Sequence, residues 1–372
     1  MKLLIIYILL LLLSFTFKKS KIVTVLDFLL MWIMIGWSSN TADYNVYIAR
    51  YFHPELYDTL EPIYVGLQSL AKVNGYSYST FLIVMSFIAL LLKFISIFIL
   101  TKNVNEVIGL WMIFPFVVDI NQVREFYATS VAFLGLAIFL RVKKGTVGIT
   151  IAVILCIIGG MIHISVLFYL VLLIPYLTRS KKNKFMNNGI VFSPHKIVLL
   201  AIALYILALS GLLYKFGSIF GVAKWSQTAT AASMAYSSKT FYYFEILLFF
   251  FIANYILNLL RKEVTNFTSE QIRTINWVYS SNYILLLVLA FAVITPDIYR
   301  IQQEFIIFIY CVASYFSDDL WYIRKRIVVN NVIIKMMLVI FAVVFCWLMS
   351  AAVPTLRDTV FIPAFNNNLI VK

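Results

Sequence analysis

The strongest constraint on this chain is its succession of apolar runs separated by short basic clusters, at residues 3–17, 22–37, 79–100, 106–118, 123–140, 146–159, 161–177, 197–214, 241–260, 276–295, 304–317 and 329–352. A helix needs about 20 such residues to cross the hydrocarbon core of a bilayer. Of the 372 residues, 63% are hydrophobic and 12% charged, against about 45–50% and about 25% in a typical soluble domain. No soluble core hides that much apolar surface, so soluble enzyme folds are excluded. The pattern predicts an all-α polytopic integral membrane protein, a single transmembrane domain over residues 1–372 with about twelve transmembrane helices, in a range of about 10–14. Runs 106–118 and 304–317 are short, which suits tilted, broken or re-entrant segments. Residues 3–17 end in Phe17-Lys18-Lys19 with no small-residue cleavage site, so they read as a retained first span.

A net charge of +14 raises nucleic acid as a partner, but the basic residues sit in clusters between spans, where topology explains them. No nucleic acid is expected. Placing Lys18–Lys21, Lys102, Arg141–Lys144, Arg179–Lys196, Arg261–Arg273 and Arg324–Arg326 on one side gathers 18 of the 30 Lys and Arg residues there. By the positive-inside rule that side is cytoplasmic, and both termini then face outward. Residues 179–196 become a basic cytoplasmic loop. The outward segments are an acidic-aromatic loop at 38–78, a loop at 215–240 that is either a lid or an ordinary connector, and residues 353–372. Cys156, Cys311 and Cys346 lie in apolar stretches and form neither a CxxC pattern nor a disulfide framework.

Ionisable groups at the edge of hydrocarbon are costly, which makes them the candidates for chemistry. The first set follows the second span: Asp43, Tyr44, Tyr47, Arg50, Tyr51, His53, Glu55, Asp58, Glu61 and Tyr64. It suits a carbohydrate- or polyanion-binding surface, with a plain solvated loop as the alternative. The second set is Asp119-Ile120-Asn121-Gln122-Val123-Arg124-Glu125. Arg124 presents a planar fork suited to a diphosphate or carboxylate; otherwise it pairs with Asp119 or Glu125, or snorkels to headgroups. The third set runs from Pro296 through Arg300, Gln302 and Gln303 to Glu304. Arg300 and Glu304 pair on one helical face, or Arg300 and Arg124 converge on one pyrophosphate. His163, in Gly159-Gly160-Met161-Ile162-His163-Ile164-Ser165, is either a proton-transfer group or a satisfied polar residue. No HExxH, no outward DxD and no GxxxxGK[ST] string occurs, so neither a metal nor any other cofactor is expected.

At these residues the chain resembles the EpsG family of bacterial polysaccharide polymerases, within the broader Wzy-type group. The resemblance lies in Asp43 with Tyr47, the string Glu61-Pro62-Ile63-Tyr64, Arg124 opening a span with Ala128 behind it, His163-Ile164-Ser165 and Arg300. Ile63 replaces a usual glycine. Glu125 stands where an Arg-Gln pair is commonly expected, so no role is carried over to it. The resemblance implies a GT-C-like membrane glycosyltransferase of O-antigen, exopolysaccharide or capsule synthesis. It would transfer a growing undecaprenyl-diphosphate-linked glycan onto the non-reducing end of another lipid-linked repeat unit, at the outer face of the bacterial cytoplasmic membrane. The implied partners are the undecaprenyl-diphosphate-linked donor and acceptor, the bilayer and a chain-length regulator. In that setting Arg124 and Arg300 hold the diphosphate, with Arg50, Gln122, Gln303, Tyr47 and Tyr64 as further substrate-binding residues. The catalytic base is His163, Asp43 or Glu61, with the first two ahead of the third. The competing readings are a flippase or exporter of the same lipid-linked sugar, an O-antigen ligase-type transferase and a membrane acyltransferase.

Overall fold

Each apolar run carries helix in the computed structural model, which describes residues 2–53, 61–142, 145–174, 194–210, 239–262, 267–293, 296–317, 325–352 and 354–370. Most of the expected basic loop 179–196 and of the expected outward loop 215–240 lies outside these residues. Among the described residues there is no strand, only an isolated antiparallel bridge between Ser38 and Asn368. Six helices are long and apolar enough to cross a membrane: Tyr78–Leu100, Val123–Arg141, Gly145–Ile162, Tyr242–Lys262, Ser269–Ala292 and Val332–Ser350. Shorter apolar helices are Lys2–Thr16, Val104–Ile113, Ile164–Leu173 and Pro194–Leu209. Exposed Ile5, Leu9 and Leu12 on the first helix and Ile22, Val25 and Leu29 on the second present apolar faces outward, which is stable where lipid covers them. The chain is built as a membrane-embedded protein.

The chain divides into two compact units, residues 1–167 with 310–372, and residues 168–309. The first contains α1 (Lys2–Thr16), α2 (Lys21–Gly36), α3 (Tyr44–Phe52), α4 (Pro62–Val73), α5 (Tyr78–Leu100), α6 (Val104–Ile113), α7 (Phe116–Asp119), α8 (Val123–Arg141) and α9 (Gly145–Ile162). Ser20 and Ser77 start α2 and α5 by accepting hydrogen bonds from the Val23 and Thr80 amides, which satisfies donors the helix cannot use itself. The expected short run 106–118 is broken at Pro115, whose ring and missing N–H stop α6 at Ile113. Asp119 returns to α6 by accepting from Trp111 Nε1 at 2.9 Å. Segment 38–78, read from sequence as a loop, carries two helices, α3 and α4, the second opened by Pro62 at its first position.

Charged groups in the apolar helices of this unit meet polar, aromatic or opposite-charge neighbours. Ser14 donates to Asp27 at 2.6 Å. Lys93 donates to Thr129 at 3.2 Å and lies 4.1 Å over the Phe133 ring. Lys335 and Lys18 approach Glu106 at 2.9 and 3.7 Å. Residues 359–369 fold back on the stretch after α2: Thr359 O accepts from Ala42 N at 3.0 Å, Asn367 O from Ser39 N at 2.9 Å, and Leu369 N donates to Trp37 O at 2.9 Å.

Glycines let α8 and α9 approach closely. A methyl group added at Gly135 would stand 3.1 Å from Ala152 Cα, and one at Gly159 would stand 2.7 Å from the Ala128 carbonyl oxygen. Lipid gives helices little hydrophobic reason to associate, so this backbone proximity supplies the packing. Gly159→Ala is therefore expected to cost about 1–3 kcal/mol, read as a lower thermal midpoint in detergent. An unchanged midpoint would show that the two helices separate at no cost.

In the second unit, helix Lys239–Lys262 packs on Ser269–Ile284, which begins with a reciprocal Thr268–Gln271 capping box. Pro194–Leu209 packs beside Val288–Ala292, with Ala201, Phe250 and Leu286 at the core. Glu245 is buried, and its carboxyl has no hydrogen-bond partner among the described residues.

Candidate functional site

Three helix ends of the first unit bring the candidate residues together. Glu61 immediately precedes α4, Arg124 is the second residue of α8, and His163 follows the last residue of α9. The His163 amide still bonds to Gly159 O at 2.8 Å, and its carbonyl accepts from Val166 N at 3.1 Å, which holds the residue's backbone at the break before the 3₁₀ helix Ile164–Leu173. The sequence had placed a span across 161–177.

Glu61 is the hub. Its Oε2 lies 2.5 Å from Arg124 Nη1, and its Oε1 lies 2.7 Å from His163 Nδ1. Burial pushes this carboxyl up, but the hydrogen bond from His163 and the charges of Arg124, His163 and Arg50 outweigh it and hold it at about 2. An ionised carboxylate only accepts hydrogen bonds, so His163 Nδ1 is the donor, and whenever the ring gives up its second proton the lone pair is on Nε2. That nitrogen lies 3.9 Å from Glu125 Oε2, while Ser165 Oγ donates to Glu125 Oε1 at 3.3 Å.

Arg124 is framed by aromatic faces, with its guanidinium carbon 5.8 Å from the Tyr47 ring centre and 5.9 Å from that of Tyr64, within cation–π range. Its Nε is buried without a partner among the described residues, and so is the Tyr64 hydroxyl. Burial pushes the Tyr64 phenol up, beyond the ordinary tyrosine range. Burial, and then repulsion from Arg124, lowers the Arg50 guanidinium, with Glu61 opposing both. The side chains of Arg124, Glu61 and His163 keep 15, 11 and 17% of their surface exposed. The cluster is thus dry enough for strong electrostatics yet open at an edge.

The remaining candidates have other contacts or belong to the second unit. Asp43 sits just before α3, where its amide donates to Asn121 Oδ1 at 3.1 Å and its carboxylate accepts from Asn121 Nδ2 at 3.4 Å. Gln122 is buried just before α8. Arg300 and Gln303 belong to the second unit, in helix Arg300–Ala313. The Gln303 amide is buried with no partner among the described residues, while Gln302 Nε2 donates to Ile246 O at 3.3 Å. Glu125 and Asn121 stood in the second candidate set, Glu125 only as a pairing partner of Arg124 and Asn121 without a role; in the structure Glu125 stands beside His163 and Asn121 clasps Asp43.

The arrangement offers arginine donors for an anion and a histidine nitrogen oriented to receive a proton. Among the described residues no group of three His, Cys, Asp or Glu side chains is placed to hold a metal ion. A family model described as the EpsG family matches residues 21–361. No curated protein and no solved structure matches the chain.

Proposed function

We propose that this chain, which belongs to the EpsG family, is a membrane glycosyltransferase that polymerises lipid-linked repeat units. It moves a growing glycan from undecaprenyl diphosphate to the non-reducing end of another lipid-linked unit, at the outer face of the cytoplasmic membrane. The observation that carries this reading is the Glu61 carboxylate shared between the Arg124 guanidinium and the His163 imidazole. One group neutralises an anion and the other receives a proton, and a single carboxylate fixes both.

In the reaction, an acceptor hydroxyl attacks the anomeric carbon of the donor glycan. Its proton passes to His163 Nε2, and the bond from the anomeric carbon to the diphosphate breaks, with the electron pair leaving on the diphosphate. Arg124, whose Nε has no other partner among the described residues, offsets that growing charge from a site of low water content, together with Arg50. Glu61 touches neither reactant. It keeps the Nδ1 proton in place so that Nε2 remains the acceptor, as a carboxylate does for a catalytic histidine. Tyr47 and Tyr64 flank the guanidinium, where their rings suit sugar faces as well as the cation. Because diphosphate leaves readily once neutralised, this route uses no covalent intermediate and no metal.

Arg124→Lys keeps the charge but loses the planar fork. Purified protein carrying it is expected to lengthen lipid-linked repeat units about 100- to 1,000-fold more slowly, read as loss of the product ladder. Full activity with unchanged folding would remove Arg124 from the anion site. A transporter of the same lipid would instead move substrate across vesicles without changing its length.

A further inference from the structure

Glu125 belongs to none of the roles above, yet its carboxylate is buried and its Oε2 stands 3.9 Å from His163 Nε2. That separation is too long for a hydrogen bond and invites something between the two atoms. A single hydroxyl cannot serve both acceptors, since it has one proton and that proton goes to Nε2 during transfer. Two hydroxyls on adjacent ring carbons can. In a gauche pair their oxygens stand closer together than the two acceptors do, so each reaches its own acceptor at an ordinary length of about 2.7–2.8 Å. Ser165, donating to Oε1 at 3.3 Å, leaves Oε2 as the oxygen turned toward His163.

We propose that His163 Nε2 and Glu125 Oε2 together read a vicinal diol on the acceptor sugar. His163 takes the proton of the hydroxyl that becomes glycosylated, while Glu125 accepts a hydrogen bond from its neighbour and keeps that neighbour unreacted. The new bond joins the first oxygen to the donor's anomeric carbon, the bond to diphosphate breaks, and the second hydroxyl keeps its proton. This rests on the polymerase reading and adds a substrate class to it: the acceptor's terminal sugar carries a free hydroxyl beside the one extended. Glu125 is then a substrate-binding residue that selects which hydroxyl is used.

The test compares a synthetic prenyl-diphosphate repeat with its analogue lacking that neighbouring hydroxyl, as acceptors for wild-type protein and for Glu125→Gln. Losing a hydrogen bond to a charged group is expected to cost the analogue about 10- to 100-fold in kcat/KM with the wild type, mostly through KM. Glu125→Gln, which keeps an acceptor oxygen but no charge, should discriminate between the two acceptors several-fold less than the wild type, as a double-mutant cycle reads. If the variant still prefers the diol by the wild-type factor, the proposal falls. Should Glu125→Gln fail to fold, Glu125→Asp, with its carboxylate withdrawn from Nε2, supports the same comparison. A second readout follows the His163 ring by nitrogen-15 NMR as each acceptor is added. Half-saturation of the ring shift at equal concentrations of diol and analogue overturns the proposal even where chains lengthen. Tighter binding of the diol without lengthening overturns the polymerase reading and leaves the diol seat standing.

Discussion

Glu61→Ala is expected to destabilise the protein by about 3–5 kcal/mol, because it leaves the Arg124 guanidinium in a mostly buried place without its counter-charge. Chain lengthening should fall further than stability explains, since the His163 Nδ1 proton loses its acceptor at 2.7 Å and the ring no longer has one preferred orientation. Glu61→Gln separates the two effects. It retains an oxygen for one partner but carries no charge, so it should fold better than the alanine variant and still lose about 100- to 10,000-fold in rate. The same carboxylate makes stability depend on pH. Its folded value of about 2 lies below the ordinary glutamate value of 4.5. Its contribution is therefore fully present above about 4.5 and is lost as pH falls toward about 2. Thermal midpoints across that window should drop more steeply for the wild type than for Glu61→Gln. Equal slopes would mean that Glu61 is not held ionised by its neighbours.

His163→Ala is the second large expected effect. A positioned general base contributes about 100- to 10,000-fold, so product ladders should shrink by that factor while the protein still binds the lipid-linked donor through Arg124. The Gly159 and Val166 backbone bonds that hold residue 163 do not involve its ring, so folding should be preserved. Imidazole added to the alanine variant should restore part of the rate, and more so as pH rises and more of it is neutral. Retained full activity in His163→Ala, or no rescue in a variant that has lost activity, would point to another base. Asp43, which Asn121 holds through both its amide and its carboxylate, is the next candidate to test.

The apolar runs were legible as helices because lipid enforces one solution, a closed backbone with apolar side chains outside. Run 106–118 was legible as short, and so as tilted, broken or re-entrant, but the break at Pro115 was seen only in the fold. Amphipathic α3 and α4 were not, since their polar and aromatic residues mask a helical period within a segment that reads as a loop. Glu61, Arg124 and His163 each stood out as a charge or imidazole at the edge of a span. Their joining did not, because Glu61 and Arg124 are 63 residues apart and Glu61 and His163 are 102 apart. The sequence placed Glu61 behind His163 and Asp43 as a base. In the fold its hydrogen bonds and neighbouring cations make it a poor base and a firm support. Glu125 was set aside because its identity departs from the resemblance, yet the 3.9 Å from its Oε2 to His163 Nε2 is the ground of the role proposed for it.

The backbone bonds from Thr359, Asn367 and Leu369 to the stretch between Trp37 and Ala42 bear on the order of synthesis. That stretch leaves the ribosome early and leads directly into α3, which carries Tyr47 and Arg50 toward the Glu61 cluster. Its anchors are translated more than 300 residues later, so the approach to α3 stays untied until those residues have followed it out. A nascent protein stalled before residue 359 would hold all its candidate proton-transfer groups and still lack the strap that sets where α3 begins.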